Sequence, residues 1–170
     1  KNWLLFYTAE KLCAHLTDVL ITINQEDYEL AQRKLKAKRV VYVPGVGIDL
    51  EKFGPVAIDA NEKRKALGIP KDARLLLSVG ELNENKNHET VIRAIADMRD
   101  TYYIVAGGGS RKEKLLSIIE ELGLTDRVKL LGRRDDIAEL CSAADVFVFP
   151  SFREGLSVAL MEAMACGLPC

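Results

Sequence analysis

The sequence predicts an α/β chain, a doubly wound parallel sheet of Rossmann-like type preceded by the tail of another domain. Three observations predict it. Beyond residue 57, short apolar runs alternate with helical patterns. The runs Leu75–Val79, Tyr102–Ala106, Val128–Leu131 and Val146–Phe149 are apolar without in-and-out alternation, as strands covered on both faces are. Each run is followed at once by a glycine or proline, namely Gly80, Gly107, Gly132 and Pro150.

The elements can be taken in chain order. Leu5, Ala9, Leu12 and Leu16 form one apolar stripe and predict a helix over about residues 2–16. Trp3, Phe6, Cys13 and Ala14 crowd a second side, so burial on both sides is expected. Glu10 falls on that second side, where a carboxylate needs a partner or a cleft. Val19–Ile23 reads as a strand, Gln25–Leu35 as a helix and Arg39–Val43 as a second strand. The charged run from Arg33 to Arg39 reads as a solvated helix end. Pro44 to Pro55 holds three glycines and two prolines and reads as a crossing segment. Domains are therefore expected at 1–56 and 57–170.

Within the second domain, Val91, Ile92, Ile95 and Met98 place one face of a helix over about His88–Met98. Leu115, Ile118, Ile119 and Leu122 mark the next helix. Asp135 and Asp136 open a short one, with N-capping as their expected role. The last runs over about Ser157–Cys166 and is stopped by Gly167 and Pro169. The chain stops at Cys170, where another strand is due, so it is expected to end within the domain.

Composition narrows the function. Lys and Arg number 24 against 25 Asp and Glu, a net charge of −1, and 48% of residues are hydrophobic. That excludes a disordered chain and a nucleic-acid binder relying on a basic excess. Cys13, Cys141, Cys166 and Cys170 form no CxxC pair, and His15 and His88 lie far apart, so zinc is not expected. Reduced thiols of a cytoplasmic protein are the reading. The run Trp3–Tyr7 is too short to span a bilayer and has no signal-peptide cleavage pattern after it.

In an open parallel sheet, ligands bind beyond the carboxyl ends of the strands. Four loops lie there. In the first, Gly80-Glu81-Leu82-Asn83-Glu84-Asn85-Lys86-Asn87, Lys86 stands just before a helix N-terminus. A cation there adds to the positive end of the helix dipole, which is unfavourable for the helix alone; it makes sense if an anion sits between them, and otherwise leaves a solvated lysine. In the second, Gly107-Gly108-Gly109-Ser110 allows close approach of backbone or ligand. It fails as a GxGxxG fingerprint because Lys112 occupies the last glycine position, which disfavours an oxidoreductase. In the third, Arg133 and Arg134 could position a nucleotide or pair with Asp135 and Asp136. The fourth, Pro150-Ser151-Phe152-Arg153-Glu154-Gly155-Leu156-Ser157, leads into a helix whose one charge is Glu162. A carboxylate buried there needs hydrogen bonds from ligand hydroxyls or a protein donor.

At these residues the chain resembles the retaining nucleotide-sugar glycosyltransferases of family 4, with two Rossmann-like domains in the GT-B arrangement. The resemblance rests on Glu154-x7-Glu162 and its surroundings, on Gly80-Glu-Leu-Asn-x-x-Lys86-Asn, and on Val43-Pro-Gly-Val-Gly-Ile-Asp49. It covers nearly the whole chain but only the middle of such an enzyme. It implies transfer of a sugar, with a UDP-sugar favoured as donor, in cell-surface polysaccharide or glycolipid synthesis. Lys86 and Glu154 are implied as catalytic, Lys86 on the donor diphosphate and Glu154 beside the sugar. Donor binding is implied for Gly80, Glu81, Gly107, Gly108, Arg133, Arg134, Gly155, Leu156, Ser157 and Glu162, the last on the ribose hydroxyls. Many members carry arginine where this chain has Glu81. No metal or other cofactor is expected, and no Asp-x-Asp motif occurs. A saccharide or lipid-linked acceptor would bind through the missing domain. Peripheral association with the inner face of the membrane, and inactivity of this partial chain alone, are further expectations. The alternative is a non-catalytic nucleotide-binding or assembly module of the same fold.

Overall fold

The computed structural model describes residues 3–54 and 59–170. The chain divides into two compact units, Lys1–Gly47 and Ile48–Cys170. In the first, α1 (Trp3–Ala14), β1 (Val19–Thr22), α2 (Gln25–Lys34) and β2 (Arg39–Tyr42) come one after another. β1 and β2 pair in parallel, Val19 opposite Arg39 and Thr22 opposite Tyr42. The Asn24 side chain caps α2 by accepting the Asp27 N–H at 2.7 Å. The two-sided burial expected of the first helix does not occur among its described side chains; Trp3 and Leu5 lie outside them. Ala14 is buried, but Phe6, Leu12 and Leu16 are exposed, as is Glu10. A unit of two strands and two helices can cover only one side of that helix.

The second unit opens with α3 (Leu50–Phe53) and α4 (Ala60–Ala66), capped by Asp49 and Asp59. Each aspartate accepts two backbone N–H groups at 2.9–3.2 Å. Neither helix is evident in the sequence, because α3 has only four residues and α4 is polar without an apolar stripe. α3 lies against α8 (Val158–Ala165), so the division between units falls nine residues before the expected 56/57 boundary.

The sheet is formed by β3 (Arg74–Val79), β4 (Thr101–Ala106), β5 (Val128–Gly132) and β6 (Val146–Phe147). It is parallel throughout, in the order β5-β4-β3-β6. Pleating sends alternate residues to opposite cores. Leu75, Leu77, Ile104 and Ala106 join α8 and α7 (Ile137–Ala143) on one face. Leu76, Tyr103 and Val105 join α5 (His88–Ile95) and α6 (Lys112–Glu121) on the other. Both faces are therefore covered, which is the doubly wound arrangement. At the amino ends, Arg64 donates to the Ala143, Lys71 and Ala73 carbonyls and to Asp145, whose other oxygen accepts the Leu75 N–H. Among the described residues, no helix is long and apolar enough to cross a membrane.

At the carboxyl ends, the loops after β3 and β4 run in direct main-chain contact. The Gly80 and Leu82 N–H groups donate to the Ala106 and Gly108 carbonyls, and the Arg111 N–H donates back to the Leu82 carbonyl. A Cβ on Gly107 would sit 1.8 Å from the Gly80 oxygen, and one on Gly109 would sit 2.5 Å from the Leu82 oxygen. The nearest atom to a Cβ on Gly108 is the Arg133 Cγ at 3.9 Å. Gly107→Ala is therefore expected to cost about 2 kcal/mol or more, from overpacking against main chain that cannot yield. Gly108→Ala is expected to cost far less. Urea unfolding of the two variants compares them, and equal midpoints would contradict the steric account.

Candidate functional site

Two groups of side chains lie beyond the carboxyl ends of the strands. The first lines an open cleft of ≈ 470 Å³ formed by Gly80, Glu81, Gly107, Gly108, Arg133, Arg134 and Asp135, with Val79, Ala106 and Ile137 beneath. The Gly107 backbone serves the packing just described. Gly108 has the open space that a ligand needs.

The two arginines differ. Arg134 binds Asp136 through Nε at 2.7 Å and Nη2 at 2.5 Å. Lys63 on α4 also reaches Asp136, and bonds Glu139 at 2.5 Å. The Arg134 guanidinium holds the Asp136 carboxyl well below the usual carboxylate range, burial acts against it, and Lys63 adds to the lowering. The capping role expected of the aspartates is not taken up by Asp136. It stands at the N-cap of α7 without a side-chain cap bond, its oxygens being taken by cations. Arg133 is exposed beside Gly108.

The second group centres on Lys86. Its Nζ lies 2.8 Å from Glu154 Oε1 and 5.2 Å from the Phe149 ring centroid. The two charged side chains are only 19% and 23% exposed. The lysine stem crosses Gly80, where a Cβ would come within 3.2 Å of its Cε, so Gly80 belongs to both groups. Lys86 holds the Glu154 carboxyl below the usual range, burial opposes this, and Ser151 adds to the lowering.

Three alternate asparagines build this corner, none of them among the expected site residues. Asn83 accepts the Lys86 N–H at 3.0 Å and donates to the Glu81 carboxylate at 3.0 Å. Asn85 donates to the Arg153 carbonyl at 2.7 Å and accepts the Phe152 N–H at 2.9 Å through its own main-chain carbonyl. Asn87 takes a left-handed conformation (φ 51°) that asparagine tolerates, and donates to the Pro150 carbonyl at 3.2 Å. Asn83 and Asn87 fall within the Gly80-to-Asn87 motif, and Asn85 is marked only by the every-second-residue spacing.

The remaining expected residues belong to the α8 entrance. The Ser157 hydroxyl caps α8, accepting the Leu160 N–H at 3.4 Å. Gly155 and Leu156 are exposed, and nothing lies within 4 Å of a Cβ placed on Gly155. Glu162 is half-buried within α8. Burial raises its pKa and the charge of Lys52 acts against the rise. No hydrogen bond from the described residues reaches its carboxylate, so a protein donor does not satisfy it.

Beneath both loops runs a buried polar chain. Ser78 Oγ donates to the Val148 carbonyl at 2.5 Å and accepts from the Tyr103 hydroxyl at 2.8 Å. The Tyr103 oxygen is then free to accept from His88 Nδ1, 3.0 Å away, which assigns the proton to that nitrogen. Nε2 is buried without a hydrogen-bond partner.

A doubly wound sheet with a glycine-lined cleft and a Lys86–Glu154 pair beyond its strand ends defines a Rossmann-like unit. Comparison with known proteins makes this specific. Residues 59–170 match the model of the family described as glycosyl transferases group 1, and the chain belongs to that family. It is 37% identical to EpsD of Bacillus subtilis (strain 168), over 99% of the chain and 46% of that protein. It is 32% identical to the Escherichia coli UDP-Gal:alpha-D-GlcNAc-diphosphoundecaprenol alpha-1,3-galactosyltransferase, over 98% of the chain and 45% of the enzyme. The crystal structure of Anabaena Alr3699/HepE with UDP and glucose superposes with a TM-score of 0.80 at 25% identity, over 96% of this chain and 46% of that one. These structures share the GT-B fold. The chain thus spans about half the length of the relatives it matches.

Burial lowers the His88 pKa from its ordinary 6.5, the main chain of Glu81 acts against this, and the Lys86 charge adds to it. A depressed histidine pKa means that the unfolded chain binds the proton first as pH falls. His88 therefore contributes stability fully above the unfolded pKa, and loses it as pH drops toward the folded value. The urea midpoint is expected to fall between about pH 7 and pH 5.5, and His88→Gln is expected to flatten that slope. An unchanged slope in the variant would assign the pH dependence elsewhere.

Proposed function

We propose that this chain forms the donor-binding part of a retaining glycosyltransferase that takes a sugar from a nucleotide diphosphate sugar, with UDP as the nucleotide. The observation that carries the reading is Lys86, a largely desolvated cation at the carboxyl end of β3, held over Gly80 at the mouth of the cleft. A cation in that place matches a diphosphate whose negative charge grows as the sugar leaves, and such fixed charge is a large contribution to catalysis. Glu162, half-buried and without a protein donor among the described residues, matches the ribose hydroxyls. Glu154 would lie beside the sugar ring, and Gly132–Arg134 would receive the base.

The UDP assignment is supported by the UDP bound in the Anabaena structure and by the UDP-Gal in the name of the Escherichia coli relative. On this reading, residues 1–56 hold the end of the acceptor side and the crossing segment, and 57–170 the donor side. No metal is required on the diphosphate. The acceptor is a saccharide or lipid-linked saccharide of cell-surface polysaccharide or glycolipid synthesis, met in the cytoplasm at the inner face of the membrane. The isolated chain binds donor without turnover.

Calorimetric titration with UDP and GDP in the presence of a chelator tests this. UDP is expected to bind and GDP to bind more weakly. Lys86→Ala is expected to lose about 1.5–3 kcal/mol of UDP affinity, roughly 10- to 150-fold, the range of a charged hydrogen bond. Unchanged affinity in that variant would sink the role of Lys86. Glu162→Ala is expected to weaken UDP more than inorganic pyrophosphate, and equal losses would make Glu162 a structural residue.

A further inference from the structure

The lysine assigned to the donor diphosphate is already engaged. Its ammonium has three N–H groups, and the side chain lies over Gly80 with 19% of its surface exposed. A desolvated cation is stable only beside an anion, and here that anion is Glu154, 2.8 Å away. A diphosphate arriving at Lys86 meets one carboxylate charge in the position it needs. The two anions cannot share the lysine without strong repulsion.

The surrounding hydrogen bonds limit what moves. Asn85 fixes the main chain next to the carboxylate, through the Arg153 carbonyl at 2.7 Å and the Phe152 N–H at 2.9 Å. Asn87 fixes the Pro150 carbonyl further back. None of these bonds involves Lys86, so none is lost when the ion pair breaks. Glu154 also has a long contact to Asn85 Nδ2, at 3.4 Å. The loop can therefore stay in place while the carboxylate alone turns.

Resting on the donor reading above, we infer that Glu154 is the resident counter-ion of Lys86 in the empty site, and that a donor diphosphate binds by displacing it. Glu154 thus determines how readily the site accepts an anion. Its removal strengthens diphosphate binding, whereas loss of a favourable donor contact would weaken it. Displacement also frees the carboxylate from the diphosphate end of the donor at the moment the donor arrives. The residue implied beside the sugar is then released only in an occupied site.

A double-mutant cycle tests the inference, with inorganic pyrophosphate and UDP as probes and calorimetry as the readout. Glu154→Gln is expected to bind both about tenfold more tightly than the unaltered chain, the scale of one partly exposed charged pair. In a Lys86→Met background the same substitution is expected to change affinity by less than about twofold, because no lysine is left to release. Glu154→Ala repeats the measurement should the glutamine variant fold poorly. Equal or weaker binding in the Glu154 variants overturns the inference, as does the absence of pyrophosphate binding in any of them. A gain that persists in the Lys86→Met background also overturns it, by reducing Glu154 to a bystander that repels anions directly. Failure of the donor reading is distinct, since Lys86→Met would then bind UDP as well as the unaltered chain does.

Discussion

The contact between the main chains at Gly80 and Gly107 is the constraint on which the site depends. Parallel strands diverge once their ladder ends, and the loops beyond them need a reason to stay together. Here the reason is steric and electrostatic at once. With no Cβ at residue 107, the Gly80 carbonyl can close to a distance that any other side chain would forbid, and the N–H groups of Gly80 and Leu82 continue the β3–β4 pairing beyond the strands. That extension makes the inner wall of the cleft and the ledge across which Lys86 lies. The polar chain from His88 through Tyr103 and Ser78 to the Val148 carbonyl ties the same wall to the end of β6 from below. A site made of separate loops is thereby held by groups that never meet a ligand.

Charge in this cleft is nearly balanced before anything binds. Arg134 belongs to Asp136, and Lys86 belongs to Glu154. Glu81 adds a carboxylate to the cleft lining, and Asn83 donates a hydrogen bond to it. Arg133 is left with no assigned ion pair among the described residues. A site of this kind does not attract anions by a strong positive field. On the donor reading, affinity for a diphosphate comes from exchanging one close partner for another, which makes selection depend on geometry more than on long-range steering.

The sheet was legible because its strands lie in largely apolar runs closed by glycine or proline, a pattern that burial on both faces explains. The two short helices α3 and α4 were not, since four residues are too few to show a period and the seven of α4 are polar. Their capping aspartates, Asp49 and Asp59, were the one trace they left. In the site, the position of Lys86 ahead of a helix left open an anion at the helix end or a solvated lysine, and the structure gives Lys86 a protein partner. Its identity was out of reach, because Glu154 comes from a loop beyond β6 and only the strand order β4-β3-β6 brings the two loops together. The same holds for Asn85 and Arg153, 68 positions apart. Asp136 illustrates the converse. Local spacing favoured a cap, and a lysine from α4 that local spacing cannot see helped Arg134 claim its oxygens instead.

Glu154 and Glu162 carry the same group in opposite surroundings. A cation lowers the pKa of one, while burial raises that of the other and no hydrogen bond from the described residues offsets it. Environments that separate the pKa values of two acids also separate their uses. Glu154 is stable as an anion and can exchange partners at little cost. Glu162 gains most from neutral O–H donors, which satisfy its oxygens without bringing a second ion into a half-buried helix. Lys86, in turn, is satisfied only by an anion. A single ligand that answers all of these must present a run of hydroxyls and a phosphate charge. A nucleotide sugar has both, and a simple sugar or a free phosphate has one.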